Sequence, residues 1–224
     1  MSELIIAIDG PSASGKSTVS RRVAQRLEFT HVDSGSLYRG VTWEFLRRRV
    51  APEDSRAVAA AVLAEIDIEF FVENSTVKFS IGGVNPGEGI RSQAVSENVS
   101  PVAALPAVRQ WVVRQLRKLV SFGDLVMEGR DIGTAVFPDA QFKFYLDAAP
   151  DERARRRYLE LANAGVKTEY EDILRSIRRR DGIDSTRALD PLKIAPGAVV
   201  IQSTQMSVEE VVDSIVKTVR TRIA

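Results

Sequence analysis

The chain has 224 residues, with 44% hydrophobic and 27% charged side chains, which suits a folded unit of one or two domains and excludes a disordered or collagen-like chain. Its 31 basic and 30 acidic residues leave a net charge of +1, so no overall electrostatic footprint for nucleic acid is expected. Cysteine is absent, which excludes disulfides, thiolate zinc sites and cysteine nucleophiles, and a lone histidine (His31) argues against a histidine triad or multi-histidine metal site.

Leu4–Ile8 is a short apolar run followed at once by turn residues, the pattern of a strand buried on both faces. It is too short and lacks the basic flank of a signal peptide. No run of about 18 apolar residues follows anywhere, so no membrane partner is expected and the expected location is cytoplasmic. After a glycine-rich turn, Val19, Val23, Ala24 and Leu27 recur at helical spacing. Thr30–Asp33 reads as a second strand, and helices are expected over 36–49 and 53–65, with Pro52 at or before the start of the latter.

The pattern changes at Ile66. Ile66, Ile68, Phe70 and Val72, then Val77, Phe79 and Ile81, alternate with polar residues around Asn74-Ser75, which predicts an antiparallel module over about 66–90 with one wet face. Helical patterning returns at 95–99 and 106–121. Strands are expected at 125–127, 142–146 and 198–201, and helices at 150–164 and 169–181. The last helix carries Val208, Val211, Val212, Ile215, Val216, Val219 and Ile223 on one face behind a Ser207/Glu210 capping box. Strands alternating with helices predict a doubly wound α/β sheet.

Gly10-Pro11-Ser12-Ala13-Ser14-Gly15-Lys16-Ser17-Thr18 fits G-x-x-x-x-G-K-[ST] between a buried strand and an amphipathic helix. The glycines let backbone N–H groups curl round phosphate oxygens, and the helix start adds unpaired donors. Lys16 can reach the β/γ-phosphates and Ser17 can coordinate Mg²⁺. Nucleoside triphosphate binding follows. No N-K-x-D guanine-reading motif occurs and the chain is small for a motor, so a small-molecule kinase remains.

A kinase must also hold an anionic acceptor, and arginines are the fork-shaped donors for that task. Arg39 in Asp33-Ser34-Gly35-Ser36-Leu37-Tyr38-Arg39, Arg130 in Glu128-Gly129-Arg130-Asp131, and Arg187 at the end of Arg180–Arg187 sit beside turn residues and read as loop residues of a site. Arg47-Arg48-Arg49 closes a helix, where basic charge complements the dipole. Arg153, Arg155, Arg156 and Arg157 lie early in their helix, where the dipole gives them no reason, and suit a lid. His31 reads as structural or exposed, and Trp43 and Trp111 as packing residues.

Together IDGPSASGKST, DSGSLYRG, IRSQAVSENVSPVAALPAVR, MEGRDIGTAVFPDA, FYLDAAPDERARRR and RRRDGIDSTRALDPL make the chain resemble the bacterial cytidylate kinases, a nucleoside monophosphate kinase family, over nearly its whole length. The resemblance implies a P-loop fold with a five-stranded parallel sheet, an inserted antiparallel β module and a small helical lid. It implies a core of residues 1–34 and 101–224 with the lid at about 150–185, and a monophosphate-binding domain at 35–100. It implies ATP- and Mg²⁺-dependent phosphorylation of CMP or dCMP by a monomer with small-molecule partners and no nucleic acid.

By motif position Lys16, Arg130, Asp131, Arg153 and Arg157 would be catalytic, with residues 10–18 holding ATP. Ser34, Arg39 and Arg130 would hold the acceptor phosphate, with Arg187 near it or the sugar. Ser100, Arg109 and Asp131 would read cytosine, and Arg180 and Asp184 the sugar. Aspartate is a natural acceptor for the cytosine N4 amino group. Ser17 and either Glu128, through water, or Asp131 would serve Mg²⁺. Glu128 stands where many members carry aspartate, and Ile183 and Ser185 where some carry arginine. The alternatives are a kinase for another small anion (UMP or shikimate), a nucleotide-binding regulator without turnover, and an RNA-binding module.

Overall fold

The structure is a computed structural model and describes residues 3–50 and 56–223. Strand β1, Ile5–Asp9, is buried at all five positions. Its side chains alternate between two layers. Ile5 and Ala7 join a large core under Val41, Phe45, Val112 and Leu116, whereas Ile6 and Ile8 face Val19, Val23 and Val212. Two covered faces are why the strand reads as a continuous apolar run.

Helix α1, Lys16–Leu27, leads into β2, Thr30–Asp33. Helix α2 then spans Ser34–Arg47, starting two residues earlier than expected because Asp33 caps it. Its carboxylate accepts from the Ser36 N–H at 3.1 Å and from the Ser36 hydroxyl at 2.6 Å. Arg39 is therefore on the second turn of a helix, not on a loop. Behind it, Arg47 and Arg48 converge on the fully buried carboxylate of Glu44 at 2.8 and 2.6 Å, consistent with a structural role.

Helix α3 is Arg56–Ala64, and the start expected near Pro52 and Glu53 lies outside the described residues. Strands β3, Ile68–Glu73, and β4, Thr76–Ile81, form the expected antiparallel hairpin, with Asn74 and Ser75 both in the left-handed region that a two-residue hairpin turn requires. Its inward face supplies Phe79 and Ile81 to the core.

Helices α4, Gln93–Ala104, and α5, Pro106–Lys118, precede β5, Leu125–Gly129. Strand β6 is Phe142–Asp147. Helices α6, Pro150–Asn163, and α7, Tyr170–Thr186, pack on each other around Ala154, Ile173, Leu174 and Ile177. Strand β7, Val199–Gln202, and helix α8, Val208–Ile223, complete the described order. At the start of α8, the Ser207 N–H donates to Glu210 at 2.7 Å and the Glu210 N–H to the Ser207 hydroxyl at 3.3 Å, the reciprocal pair expected.

The sheet order is β3-β4-β2-β5-β1-β6-β7. The five strands from β2 to β7 are parallel, and β4 continues the sheet through one pairing, His31 with Thr76. Helices α1 and α8 cover one face, and α2 and α5 pack into the core on the other. The α/β class is as expected, and the order reverses at β1, so the carboxyl ends of β1, β2 and β5 open on a topological switch point. Helix α7 runs a turn and a half beyond the expected end. Arg180 and Asp184 thus ride on a helix, and Arg187 is the residue that caps it.

Candidate active site

At the end of β1 the chain turns where only glycine fits, because a Cβ on Gly10 would lie 2.2 Å from the Leu146 carbonyl oxygen. Ala13 has φ of 59° and Gly15 of 89°, and Gly15 caps α1 with no side-chain acceptor. The first turn of α1 holds no acidic residue either, so its N–H groups and dipole are available to an anion. Lys16 is buried, with its ammonium donating to the Pro11 carbonyl at 2.6 Å and the Ser14 hydroxyl at 3.2 Å. Burial, with Arg130 nearby, pushes Lys16 well below its usual range, against the pull of Glu128, Asp9 and Asp184.

Beside the loop, Ser17 donates to Glu128 Oε2 at 2.9 Å, and Ser20 donates to Glu128 Oε1 at 3.2 Å. His31 Nε2 lies 3.0 Å from the Ser20 hydroxyl and 3.3 Å from Glu128 Oε1. His31 is 1% exposed, so it is buried and not a surface residue. A serine hydroxyl and a carboxylate are the hard oxygen donors that Mg²⁺ prefers. Among the described residues no three His, Cys, Asp or Glu side chains cluster as a metal site, so an ion there would draw its other ligands from phosphate and water.

Asp9 accepts from the Ile132 and Gly133 N–H groups, each at 2.8 Å. These bonds pin a single wide turn over Ile132–Val136 to the end of β1. Burial lifts the Asp9 carboxyl to about 6, with Asp131 adding and the two N–H groups and Lys16 opposing.

That turn presents Asp131, which pairs with Arg109 and lies 3.4 Å from Arg187. Arg109 is fully buried on α5, reaches Asp190 at 3.1 Å, and lies 5.5 Å over the ring of Tyr38. Burial acts to lower its affinity for the proton, and Asp131, Tyr38 and Asp190 more than reverse that. Asp184 on α7 joins the lattice, 3.0 Å from Arg130 and 3.7 Å from Arg187. Ser34 donates to the Glu128 carbonyl at 2.7 Å and rests against Gly129, where a Cβ would sit 2.6 Å from its oxygen.

Two arginines differ. Arg180 forms no ion pair among the described residues, and its buried Nε has no hydrogen-bond partner among them. Burial, then Arg130 and Arg39, lower it to about 10. Among the described residues Arg39 donates only to neutral oxygens, the Ile90 carbonyl at 3.3 Å and the Ser96 hydroxyl at 3.0 Å. Burial lowers it too, and Arg91, Arg157 and Arg130 add to that despite Asp33. Lys16, Arg130, Arg180 and Arg39 thus form a row in which neighbours repel, with Asp184 offsetting the charge of Arg130.

On the lid side, Arg153 is buried and spends its guanidinium on the protein. It bonds the Ala148 carbonyl at 2.9 Å, the Ser12 carbonyl at 2.8 Å and Asp181 at 2.7 Å. Asp181 in turn accepts from the Ser12 N–H at 3.3 Å. Arg157 is exposed and pairs with Glu160 on its own helix at 2.7 Å, so it is not joined to the loop. Arg156 comes closer, its Nη1 4.0 Å from where a Cβ on Gly15 would be. Ser100 is buried in α4, with no hydrogen bond to the lattice among the described residues.

A family model described as Cytidylate kinase matches residues 6–221. The chain belongs to the cytidylate kinase family. It is 43% identical over 215 residues to a cytidylate kinase of Caldanaerobacter subterraneus subsp. tengcongensis, covering 96% of this chain and 94% of that one. It is 41% identical to one of Geobacter sulfurreducens, covering 98% and 94%. It also matches a bifunctional pantoate ligase/cytidylate kinase of Synechococcus elongatus at 43%, over 97% of this chain and 42% of that protein. The fold is similar to the crystal structure of an uncharacterised protein from Eubacterium ventriosum, with a TM-score of 0.52, 11% identity, and coverage of 98% and 99%.

Sequence reasoning missed Asp9, Ser20, Asp181 and Asp190, and gave His31 no partner. Asp9 ends the first strand at the switch point, a position that could have singled it out. The other contacts join elements far apart in the chain and left no local signal.

Proposed function

We propose that the chain transfers the γ-phosphoryl group of ATP to CMP or dCMP, giving ADP and CDP or dCDP. Family membership supports the acceptor class. The observation that carries the reaction type is the row of cations running from Lys16 through Arg130 to Arg180 and Arg39, because among the described residues Arg180 has no ion pair and Arg39 bonds only neutral oxygens, which leaves positive charge for bound anions.

The donor's phosphates lie along residues 10–18 on the N–H groups of the loop, with Lys16 leaving its bonds to Pro11 and Ser14 for the β/γ oxygens. The acceptor phosphate lies on Arg39, Arg130 and Arg180, with Ser34 beside them. Its oxygen attacks the γ-phosphorus, and the bond to the β-bridging oxygen breaks. No general base is needed, since a phosphate monoester is largely dianionic at neutral pH (second pKa about 6). Positioning and charge neutralisation by Lys16 and the arginines are what the protein supplies. Ser17 and Glu128 would hold Mg²⁺, which would supply charge neutralisation for the phosphates.

Asp131 and Arg109 read cytosine. The carboxylate accepts from the N4 amino group and the guanidinium donates to N3 and O2. Uracil reverses the polarity at the 3- and 4-positions, leaving buried groups unpaired, which discriminates strongly. Residues 35–100 act as the acceptor-binding part, and about 150–185 as the lid that carries Arg157 toward the phosphates, with Arg153 already anchored at the loop through Ser12. A coupled ADP-release assay with CMP, dCMP, UMP, AMP and shikimate tests the reading. Preference for the cytosine nucleotides is expected, and turnover without that preference would sink the acceptor assignment.

A further inference from the structure

Glu128 is a long, flexible carboxylate, and its two oxygens have different surroundings. Oε2 faces the Ser17 hydroxyl at the mouth of the phosphate loop, and Oε1 faces inward to Ser20 and His31. Ser20 is fully buried on α1 and His31 is 1% exposed on β2. These positions lie between two packed layers, where an apolar side chain would cost less than an imidazole or a hydroxyl unless the polar groups are bonded. The polar contacts of the His31 ring are Ser20 and Glu128, and its Nδ1 has no partner among the described residues. A proton on Nε2, donated toward the Ser20 oxygen and Glu128 Oε1, satisfies the bonding on that side. The Ser20 hydroxyl then donates onward to Oε1.

We propose that His31 and Ser20 are positioning residues that clamp Oε1 of Glu128 so that Oε2 and Ser17 are presented together to the divalent cation of the bound nucleotide. This rests on the phosphoryl-transfer reading above. The clamp follows from length. A glutamate side chain has a rotamer more to lose than an aspartate, and fixing one oxygen leaves the other aimed. An aspartate on the same strand would stop one methylene short of His31 and would have no use for the clamp. Asp131, the other carboxylate considered for the metal, is committed to Arg109 and Arg187.

The test titrates Mn²⁺ into ATP-saturated enzyme by electron paramagnetic resonance, and in parallel measures the Mg²⁺ dependence of kcat and the KM for CMP. His31→Leu and Ser20→Ala should each weaken Mn²⁺ binding by about tenfold and raise the half-activating Mg²⁺ by a similar factor, with the KM for CMP unchanged. His31→Gln, which returns an N–H near the Nε2 position, should restore most of the loss. In a Glu128→Asp background, His31→Leu should add nothing further. Unaltered Mn²⁺ affinity in a folded His31→Leu protein would overturn the clamp, as would a change confined to the KM for CMP or a full His31→Leu effect in the Glu128→Asp protein. If His31→Leu does not fold by circular dichroism, Ser20→Ala and His31→Gln decide by the same readout. A wild-type protein that turns over no cytosine nucleotide would defeat the proposed function, while the Mn²⁺ titration would still decide the clamp.

Discussion

Two sets of arginines sit within one site, and the protein treats them in opposite ways. Arg109, Arg187 and Arg130 are tied to the buried carboxylates of Asp131 and Asp184. Among the described residues Arg180 and Arg39 have no such partner and instead crowd Arg130 and each other. Removing a charge from a buried pair leaves its partner uncompensated, whereas removing a charge that repels its neighbours relieves them. Under the proposed function, Arg109 in the paired set would couple folding to base reading, and the unpaired set would be a cost that a bound phosphate offsets.

The largest effect should fall on the paired set. Arg109→Ala leaves the Asp131 side chain, 4% exposed, with Arg187 alone at 3.4 Å and takes the arginine from Asp190, and should destabilise the protein by about 3 kcal/mol in urea unfolding. In whatever fraction folds, the CMP to UMP ratio of kcat/KM should fall. A stable variant with the ratio intact would break both the pairing argument and the base-reading assignment. Lys16→Ala sits between the sets. Among the described residues its ammonium bonds only loop oxygens, so stability should hold while kcat drops about 10²–10³-fold with every acceptor. A loss confined to one acceptor would move Lys16 out of the shared chemistry.

Asp9 is a buried carboxylate held by backbone N–H groups and, among the described residues, by no arginine, which gives the comparison a pH test. Its folded pKa of about 6 lies above the ordinary 3.8, so protonation favours the folded state. Its stabilising contribution is full below about pH 4 and is lost as pH rises through about 6, on the order of 3 kcal/mol in all. Asp9→Asn should flatten the dependence of Tm on pH across that window relative to wild type. An identical slope in the two proteins would show that the two N–H groups and Lys16 hold Asp9 ionised after all.

Much of this was legible in the sequence because it is local. The phosphate loop, the buried first strand, the hairpin alternation and the Ser207/Glu210 cap each need only neighbouring residues. Gly35 and Gly182 resemble turn punctuation, which makes the start of DSGSLYR and the end of RRRDGIDSTR read as loop, but both glycines lie inside helices. The cap on Asp33 and the packing of α7 on α6 outweighed the propensity. The lattice of Asp131, Asp184 and Asp190 with Arg109 and Arg187 was only partly legible. Its members lie up to 81 residues apart, and charge pairing across that separation follows from the strand order, which periodicity alone does not reveal.

The smallest effect is the most discriminating. Arg180→Ala removes a guanidinium whose Nε is buried and unpartnered, so the folded protein loses little and sheds a repulsion with Arg130 and Arg39. Stability should stay level or rise by roughly 0.5–1 kcal/mol, since an unmet buried donor is unfavourable by about that order or more. Binding should move the other way, with the KM for CMP rising about tenfold, near 1.4 kcal/mol for one charged contact to phosphate. Opposite signs in the unfolding and kinetic measurements are what separates a ligand-facing arginine from a structural one. If Arg180→Ala destabilises the protein as Arg109→Ala does, the division into paired and unpaired sets is wrong, and the row of cations must be held by contacts on the protein itself.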